Sequence, residues 1–243
     1  MNEEINKTVN EFSARLREVF EDDLFAVILY GSAATSAYQT GVSDINVLVI
    51  LENLKAIKMF KLGKEVKSLL RKNRISPFIM THEEFTTASD VFPLEYCDIL
   101  DSNELVYGNG DILSINVNMA NLRTELEGKL RGAVNDLRSI LMATEGNEKT
   151  LGKLILSWSG IGNILLRGLL RLKKVNVNCL DNRAIIAEVE KQYGVVLEAF
   201  SVLNQHRQSN KPFVPTASAF AETLLEPLKA LVRAVDAMDG GSE

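Results

Sequence analysis

Residues 25–51 constrain the fold of this chain more than any other stretch, because two apolar runs enclose a polar segment there. The runs Phe25–Tyr30 and Val47–Leu51 are short and rich in β-branched residues, and this composition predicts two buried strands. The first strand leads directly into Gly31 and Ser32. Glycine has no Cβ atom, so another group can approach the backbone closely at this point.

The second strand is entered through Asp44, Ile45 and Asn46. Alternate side chains of a strand share a face, so Asp44 and Asn46 are predicted to point the same way while Ile45 enters the core. Both oxygen-bearing side chains then lie at the sheet edge that carries the turn at Gly31 and Ser32. A magnesium–nucleotide site requires such a group of residues, but with a carboxylate in place of the Asn46 amide.

Together, Gly31-Ser32, the eleven residues Ala33–Ser43 and the Asp44-x-Asn46 strand entry resemble the DNA polymerase β-like nucleotidyltransferase superfamily. Its signature is a hydrophobic strand, Gly-Ser or Gly-Gly, a spacer of about a dozen residues and Asp-x-Asp entering another strand. The resemblance implies an α/β nucleotidyltransferase domain with a mixed sheet. The residue pattern also leaves open an ordinary α/β crossover whose turn contains Gly-Ser.

The resemblance implies a nucleoside triphosphate as partner and Mg²⁺ as cofactor, because nucleotidyl transfer uses metal ions between the attacking and leaving oxygens. It makes Asp44 the catalytic residue and a metal ligand, and it makes Asn46 a metal ligand and a nucleotide-binding residue. Gly31 and Ser32 become nucleotide-binding residues that contact the phosphates. The segment Ser32–Tyr38 is expected to begin a short helix whose amides also favour an anion.

The superfamily uses a third carboxylate on a following strand, and the resemblance places Phe78 at that position. Thr81 and Glu84 then form the pattern of a helix capping box. We therefore interpret Glu84 as a capping residue rather than a catalytic one. Asp44 is the one clear match to the three carboxylates that the resemblance implies, so weakened activity is expected.

Two further acids, Glu95 and Asp98, lie in the otherwise apolar segment 91–100, which returns toward the domain before residues 105–108. A carboxylate in such a segment must be solvated, paired or functional. We interpret the segment as a strand with alternating outward polar residues. The alternative is that the two acids compensate for the missing carboxylates.

The composition changes sharply after Gly108–Asp111. This predicts a nucleotidyltransferase domain at residues 1–110 and an all-α helical bundle at residues 111–243. Amphipathic helices are predicted in the first domain at about Glu3–Phe20 and Leu54–Lys72. Similarity to the aminoglycoside-modifying enzymes implies that the helical domain closes over the nucleotide and helps to bind the acceptor.

Three basic residues of the predicted bundle, Arg167, Arg171 and Lys174, fall at i, i+4 and i+7 of one helix. We interpret them as a solvated helix end, where the helix dipole favours positive charge. The alternative is a basic stripe that meets the triphosphate. The preceding segment, Leu151–Leu172, is apolar nearly all round, which is typical of a central helix.

The net charge of −5, with acids and bases intermixed, gives no strong nucleic-acid signal, although it leaves room for a local basic cleft. We expect a cytoplasmic protein without a membrane partner, because the N-terminus is acidic and the most apolar stretch is interrupted by charged residues. Cys97 and Cys179 are predicted to be reduced core thiols. His82 and His206 are isolated in the sequence.

Three functions agree with these observations. The leading interpretation is transfer of a nucleoside monophosphate from a nucleoside triphosphate to an unknown acceptor. A second interpretation is a non-catalytic nucleotide-binding or regulatory protein with a degenerate active site. A third is a structural or partner-binding module whose helical domain mediates oligomerisation.

Overall fold

The computed structural model describes residues 3–35, 38, 40–41, 43–178, 180–209 and 217–238. By its internal contacts the chain divides into two units, Met1–Val117 and Asn118–Glu243. Within the described ranges, the helices and strands in chain order are α1 (Glu3–Phe20), β1 (Leu24–Tyr30), β2 (Ile45–Leu51), α2 (Ala56–Asn73), β3 (Ile75–Thr81), α3 (His82–Thr87), α4 (Pro93–Asp101), β4 (Asn103–Gly108), α5 (Met119–Ala143), α6 (Glu148–Leu172), α7 (Asn182–Tyr193), α8 (Glu198–Ser209) and α9 (Ala217–Asp236).

The first unit is built on a mixed sheet, which in the described residues has four strands in the order β3-β2-β1-β4. Strand β1 is antiparallel to β2 and β4, whereas β2 and β3 are parallel. A parallel pair needs a crossover connection, and α2 supplies it. The predicted strands β1 and β2 and the predicted helices α1 and α2 are confirmed, with slightly different ends.

One face of the sheet packs against α1 and α2, because alternate strand residues and one stripe of each helix are apolar. Burial of this apolar area is the main stabilising contribution to the unit, at about 25 cal/mol per Å². The residues of this core that lie in the two central strands and in the two helices include Val27, Leu29, Val47, Val49, Phe12, Leu16, Leu62 and Val66.

The opposite face of the sheet contacts α3 and α4. The predicted capping box at the start of α3 is confirmed: the Glu84 amide donates to Thr81 Oγ1 at 3.2 Å, and the Thr81 amide donates to Glu84 Oε2 at 2.7 Å. Tyr96 of α4 stacks on Phe85 of α3, with ring centroids 4.8 Å apart, and donates its hydroxyl to the Phe85 carbonyl at 2.6 Å. These contacts fix α4 against α3.

The predicted strand that starts at Glu95 is wrong in its first half, because this segment forms α4 and β4 begins only at Asn103. Pro93 lies in the first turn of α4, where its missing N–H leaves no helical hydrogen bond unmade. Burial within α4 recurs at helical spacing instead of alternating. Glu95 and Asp98 therefore lie one helical turn apart on neighbouring positions of the helix surface.

The second unit is helical, as predicted, and its helices α5, α6 and α9 pack against one another. The interpretation of Arg167 and Arg171 as a solvated helix end is wrong. Arg171 is only 8% exposed, and Arg167 donates to the carbonyls of Val177 at 3.1 Å and Leu180 at 3.2 Å. Arg167 thus holds the segment that follows α6 against the helix through these two hydrogen bonds. Lys174, by contrast, is exposed.

No helix in the described residues is long and apolar enough to cross a lipid bilayer. Cys97 is buried in α4 and forms no disulfide with another described residue. Cys179 lies outside the described residues.

Candidate functional site

Polar residues form a row across the sheet at the end of β1. Tyr30 pairs with Asn46 of β2 on one side and with Asn103 of β4 on the other. Asn46 pairs in turn with Ser76 of β3. Paired residues of neighbouring strands direct their side chains to the same face, and this row lies on the face that contacts α4.

Gly31 places the turn after β1 directly against Asn46. Its φ of +72° is a left-handed conformation that favours glycine. A Cβ atom on this residue would lie 3.3 Å from Nδ2 of Asn46, so the turn and the amide side chain are in close contact. The Gly31 amide donates to the carbonyl of Ser102 at 2.9 Å, which anchors the turn to the end of α4. Two of the predicted nucleotide-binding residues are therefore neighbours.

Ser32 lies in the 3₁₀ turn Gly31–Ala34, and the helix expected over Ser32–Tyr38 lies partly outside the described residues. Thr35 closes the turn, because its amide and its hydroxyl both donate to the Ser32 carbonyl, at 3.1 and 3.0 Å. Ser32 itself is half-buried. The Gly31 amide is already bonded within the fold, so the expected anion site at a helix N-terminus is not formed by this amide.

Asp44 is held in an ion pair just before β2 begins. Arg74, which lies between α2 and β3, contacts the Asp44 oxygen Oδ1 with Nε at 2.9 Å and with Nη2 at 2.8 Å. The Arg74 carbonyl accepts from the Ile45 amide at 2.9 Å, where the parallel pairing of β2 and β3 starts. The side chains of the pair are 46% and 49% exposed, so the pair contributes about 0–1 kcal/mol to stability. The pair nevertheless places the positive charge of Arg74 next to the carboxylate of Asp44.

Ser76, and not Phe78, is the residue of β3 that lies level with Asn46. The register pairs Asn46 with Ser76 and pairs Leu48 with Phe78. Ser76 is exposed, whereas Phe78 is half-buried and makes an edge contact with Phe92, with ring centroids 5.9 Å apart. In this register the β3 residue level with Asn46 is Ser76, which carries a hydroxyl and no negative charge.

Glu95 accepts a hydrogen bond from the Tyr30 hydroxyl and so connects α4 to β1. Tyr30 is only 2% exposed. Burial, followed by the nearby charges of Glu95 and Asp98, raises the pKa of Tyr30 above its ordinary value, so its hydroxyl stays protonated and donates. The carboxylate of Glu95 thus has a structural partner within the same row.

The residues at this edge do not fit a two-metal centre. No group of three or more histidine, cysteine, aspartate or glutamate side chains in the described part of the chain is arranged to hold a metal ion. Magnesium requires oxygen ligands and is usually held by one or two carboxylates. Asp44 supplies one carboxylate, which is paired with Arg74, while Asn46 and Ser76 are uncharged.

A small cavity of about 190 Å³ adjoins the ion pair, and its lining includes Tyr38, Ile45, Lys72 and Arg74. Sites for whole small molecules have volumes of about 300–1,000 Å³. The cavity is therefore too small to enclose an entire nucleotide, and its lining also includes the acidic residue Glu4.

Neither a protein-family model nor a curated protein matches the chain. A solved structure does match: the spectinomycin adenyltransferase AAD(9) from Enterococcus faecialis, crystallised with ATP and spectinomycin. The similarity covers 92% of this chain and 98% of that chain, with a TM-score of 0.60 and 13% sequence identity. This chain has the polymerase β-like nucleotidyltransferase fold. At such low identity the similarity concerns the nucleotidyltransferase fold alone, including its helical second part.

Proposed function

We propose that this chain binds a nucleoside triphosphate at the edge of the sheet and transfers a nucleoside monophosphate from it to an acceptor, with weakened activity. The observation that carries the proposal is the close contact between the turn at Gly31 and the side chain of Asn46. Asn46 follows Asp44 and Ile45 at the start of β2, and the whole arrangement lies within a nucleotidyltransferase fold. A chain of this fold that is an adenyltransferase was crystallised with ATP, which supports a triphosphate as the partner.

The proposed roles follow from the chemistry of each group. Gly31 has no side chain, so a phosphate can approach the turn closely. The hydroxyl of Ser32 and the guanidinium of Arg74 donate hydrogen bonds to phosphate oxygens, and those from Arg74 are charge-assisted. Asp44 is the proposed catalytic residue, and Asn46 offers its amide to the nucleotide. Mg²⁺ remains the expected cofactor, but the uncharged Asn46 predicts that it binds weakly.

A second candidate function is nucleotide binding without catalysis. The ion pair between Asp44 and Arg74 favours it, because the guanidinium offsets the negative charge that would attract a metal ion. A protein of this kind uses its nucleotide-bound and nucleotide-free states for regulation.

The assignment of residues 1–110 to a nucleotidyltransferase domain and of residues 111–243 to a separate helical domain is part of the proposal. The same applies to the role of the helical domain in acceptor binding and in oligomerisation.

Calorimetry with ATP in millimolar Mg²⁺ and a pyrophosphate-release assay test the proposal together. We expect weak ATP binding that Ser32→Ala reduces, and slow pyrophosphate release that Asp44→Ala abolishes. Asp22→Ala, which removes an acid from an exposed position, is the control and should leave both unchanged. ATP binding without pyrophosphate release would support the second candidate. Absence of ATP binding would contradict both and favour a structural module.

A further inference from the structure

Helix α2 concentrates positive charge on a chain whose net charge is −5. The helix contains six basic residues and a single acid, Glu65. Glu65 lies within electrostatic range of Arg15 on α1, so its charge is shared with that residue. The local charge of α2 is therefore opposite in sign to that of the whole chain.

Most of these basic residues have no acidic partner among the described residues. Lys58 pairs with Asp23 at 2.8 Å. The remaining five are exposed, and none makes an ion pair or a side-chain hydrogen bond with another described residue: Lys61, Lys64, Lys67, Arg71 and Lys72. Like charges on one helix repel one another, so such a group costs stability unless a ligand neutralises it.

The five cations form a continuous surface along the helix, here called the α2 basic stripe. Lys61, Lys64, Lys67 and Arg71 follow one another at intervals of three and four residues, which places neighbouring charges about 4.5–6 Å apart along the axis. Phosphates of one strand of duplex DNA rise about 3.4 Å each along the helix axis, and those of an extended single strand lie farther apart. The spacing of the cations along α2 is therefore of the same order as the spacing of phosphates along a strand. The stripe borders an open depression of about 590 Å³.

Two exposed apolar side chains stand at the N-terminal end of the same helix. Ile57 is 73% exposed and Phe60 is 68% exposed. An exposed aromatic ring beside a line of cations is a stacking platform for a nucleic-acid base. Binding of free phosphate or of the carboxylates of an acidic peptide does not require an exposed aromatic ring.

The other end of the stripe approaches the candidate site. Lys72 lines both the depression beside the stripe and the small cavity that adjoins Asp44 and Arg74. A strand bound along α2 is thus directed toward the edge of the sheet where the motif residues lie.

We propose that the α2 basic stripe binds the phosphate backbone of a single nucleic-acid strand. An anionic membrane is the other polyanionic surface that a basic helix meets, but an interfacial helix inserts its apolar face. The apolar face of α2, which includes Leu62 and Val66, is buried in the core of its own unit. The low net charge of the whole chain does not oppose the proposal, because phosphate contacts depend on the local surface.

Fluorescence anisotropy of a labelled oligouridylate with the full chain, measured over a series of salt concentrations, tests this proposal. Five contacts give a slope of log K against log salt of about −3.5, since each contact with a single strand contributes about −0.7. The triple variant Lys64→Gln, Lys67→Gln, Arg71→Gln should reduce the slope by about 2 units in magnitude. Phe60→Ala should weaken binding about fivefold or more and leave the slope unchanged.

The matched control is Lys7→Gln, Lys149→Gln, Lys153→Gln, which removes the same charge from exposed helical positions elsewhere. This control should keep the wild-type slope. An equal loss in both triple variants, or salt-independent binding, would overturn the proposal. So would binding to phosphatidylcholine vesicles that contain phosphatidylserine without any binding to the oligonucleotide. The inference does not depend on nucleotidyl transfer: intact ATP binding with no oligonucleotide binding refutes the stripe and leaves the proposed function standing.

Discussion

Arg74 holds Asp44 through two contacts to a single carboxylate oxygen, Oδ1, from Nε at 2.9 Å and from Nη2 at 2.8 Å. Arg74 achieves this from a left-handed conformation, with a φ of +55°. The motif acid of the sheet edge is thus already neutralised by the protein itself. A divalent metal ion that binds this carboxylate must therefore compete with the positive charge of the guanidinium.

Removal of the guanidinium should therefore strengthen metal binding. Arg74→Asn keeps a side chain that tolerates the left-handed conformation and frees the Asp44 carboxylate. We expect about threefold tighter Mn²⁺ binding by calorimetry, because a half-exposed ion pair contributes only about 0–1 kcal/mol. Arg138→Asn, which removes a charge from an exposed position of α5, should have no effect. Weaker metal binding in Arg74→Asn would contradict the competition between Arg74 and a metal ion.

A side chain at Gly31 should disturb both the backbone and Asn46. Gly31→Ala forces a non-glycine residue into a φ of +72° and places a Cβ atom 3.3 Å from Asn46 Nδ2. We expect a loss of about 1–2 kcal/mol in the free energy of unfolding, measured by urea denaturation. Gly63→Ala is the matched control, because a Cβ atom there meets nothing within 4 Å. In the middle of α2 it should stabilise the chain by about 0.5–1 kcal/mol.

Phe78 should prove to be a packing residue. It is half-buried and contacts Phe92, so Phe78→Ala should cost about 2 kcal/mol, less than the about 3–5 kcal/mol of a fully buried phenylalanine. Phe60→Ala, at a position 68% exposed, should cost almost nothing in the same urea titration. Unchanged stability in Phe78→Ala would show that the aromatic contact does not stabilise the sheet.

Asp23 should make stability depend on pH in the acid range. Hydrogen bonds from Lys58 and then Asn53 lower the pKa of Asp23 below its ordinary value of 3.8 in the folded chain. The stabilisation is therefore complete above 3.8 and is lost as the pH falls through the lower folded value. Asp23→Asn should lower the melting temperature at neutral pH, and its difference from the wild type should vanish in acid. Asp22→Asn, at an exposed neighbouring position, should match the wild type throughout.

The strands and the amphipathic helices were accessible from the sequence, because their apolar residues repeat with the period of the element. The secondary structure of the segment around Glu95 could not be predicted in this way, because a short apolar run fits a strand and a buried helix equally well. Pro93 was the signal that could have decided it, since proline is favoured in the first turn of a helix. The capping box at Thr81 was predictable because its two hydrogen bonds join residues three apart in the sequence.

The arrangement of the candidate site depends on features that are not local. The register that pairs Asn46 with Ser76 joins two strands that are separated in the sequence by the whole of α2, so no local pattern predicts it. The ion pair of Arg74 with Asp44 joins residues thirty positions apart. Nothing in the sequence predicts a left-handed conformation for Arg74, because glycine and asparagine are the residues that most often adopt it.

The absence of negative charge at Asn46 and Ser76 is the feature that most limits this site. Asn46→Asp restores a carboxylate with little change in volume. Ser76→Asp adds a second one at an exposed position level with it, so the double variant should fold. Each added charge at about 4 Å from a divalent ion contributes about 2 kcal/mol in a water-like dielectric. Asn10→Asp, Ser139→Asp adds the same charge at exposed positions of α1 and α5 and serves as the control.

Calorimetry of ATP binding with and without Mg²⁺ is the decisive measurement on this double variant. We predict that Asn46→Asp, Ser76→Asp raises the Mg²⁺-dependent affinity for ATP about tenfold or more, since each 1.4 kcal/mol is a factor of ten. The control variant should bind ATP no more tightly than the wild type. An unchanged affinity in a folded Asn46→Asp, Ser76→Asp variant would contradict a metal–nucleotide site at this edge of the sheet.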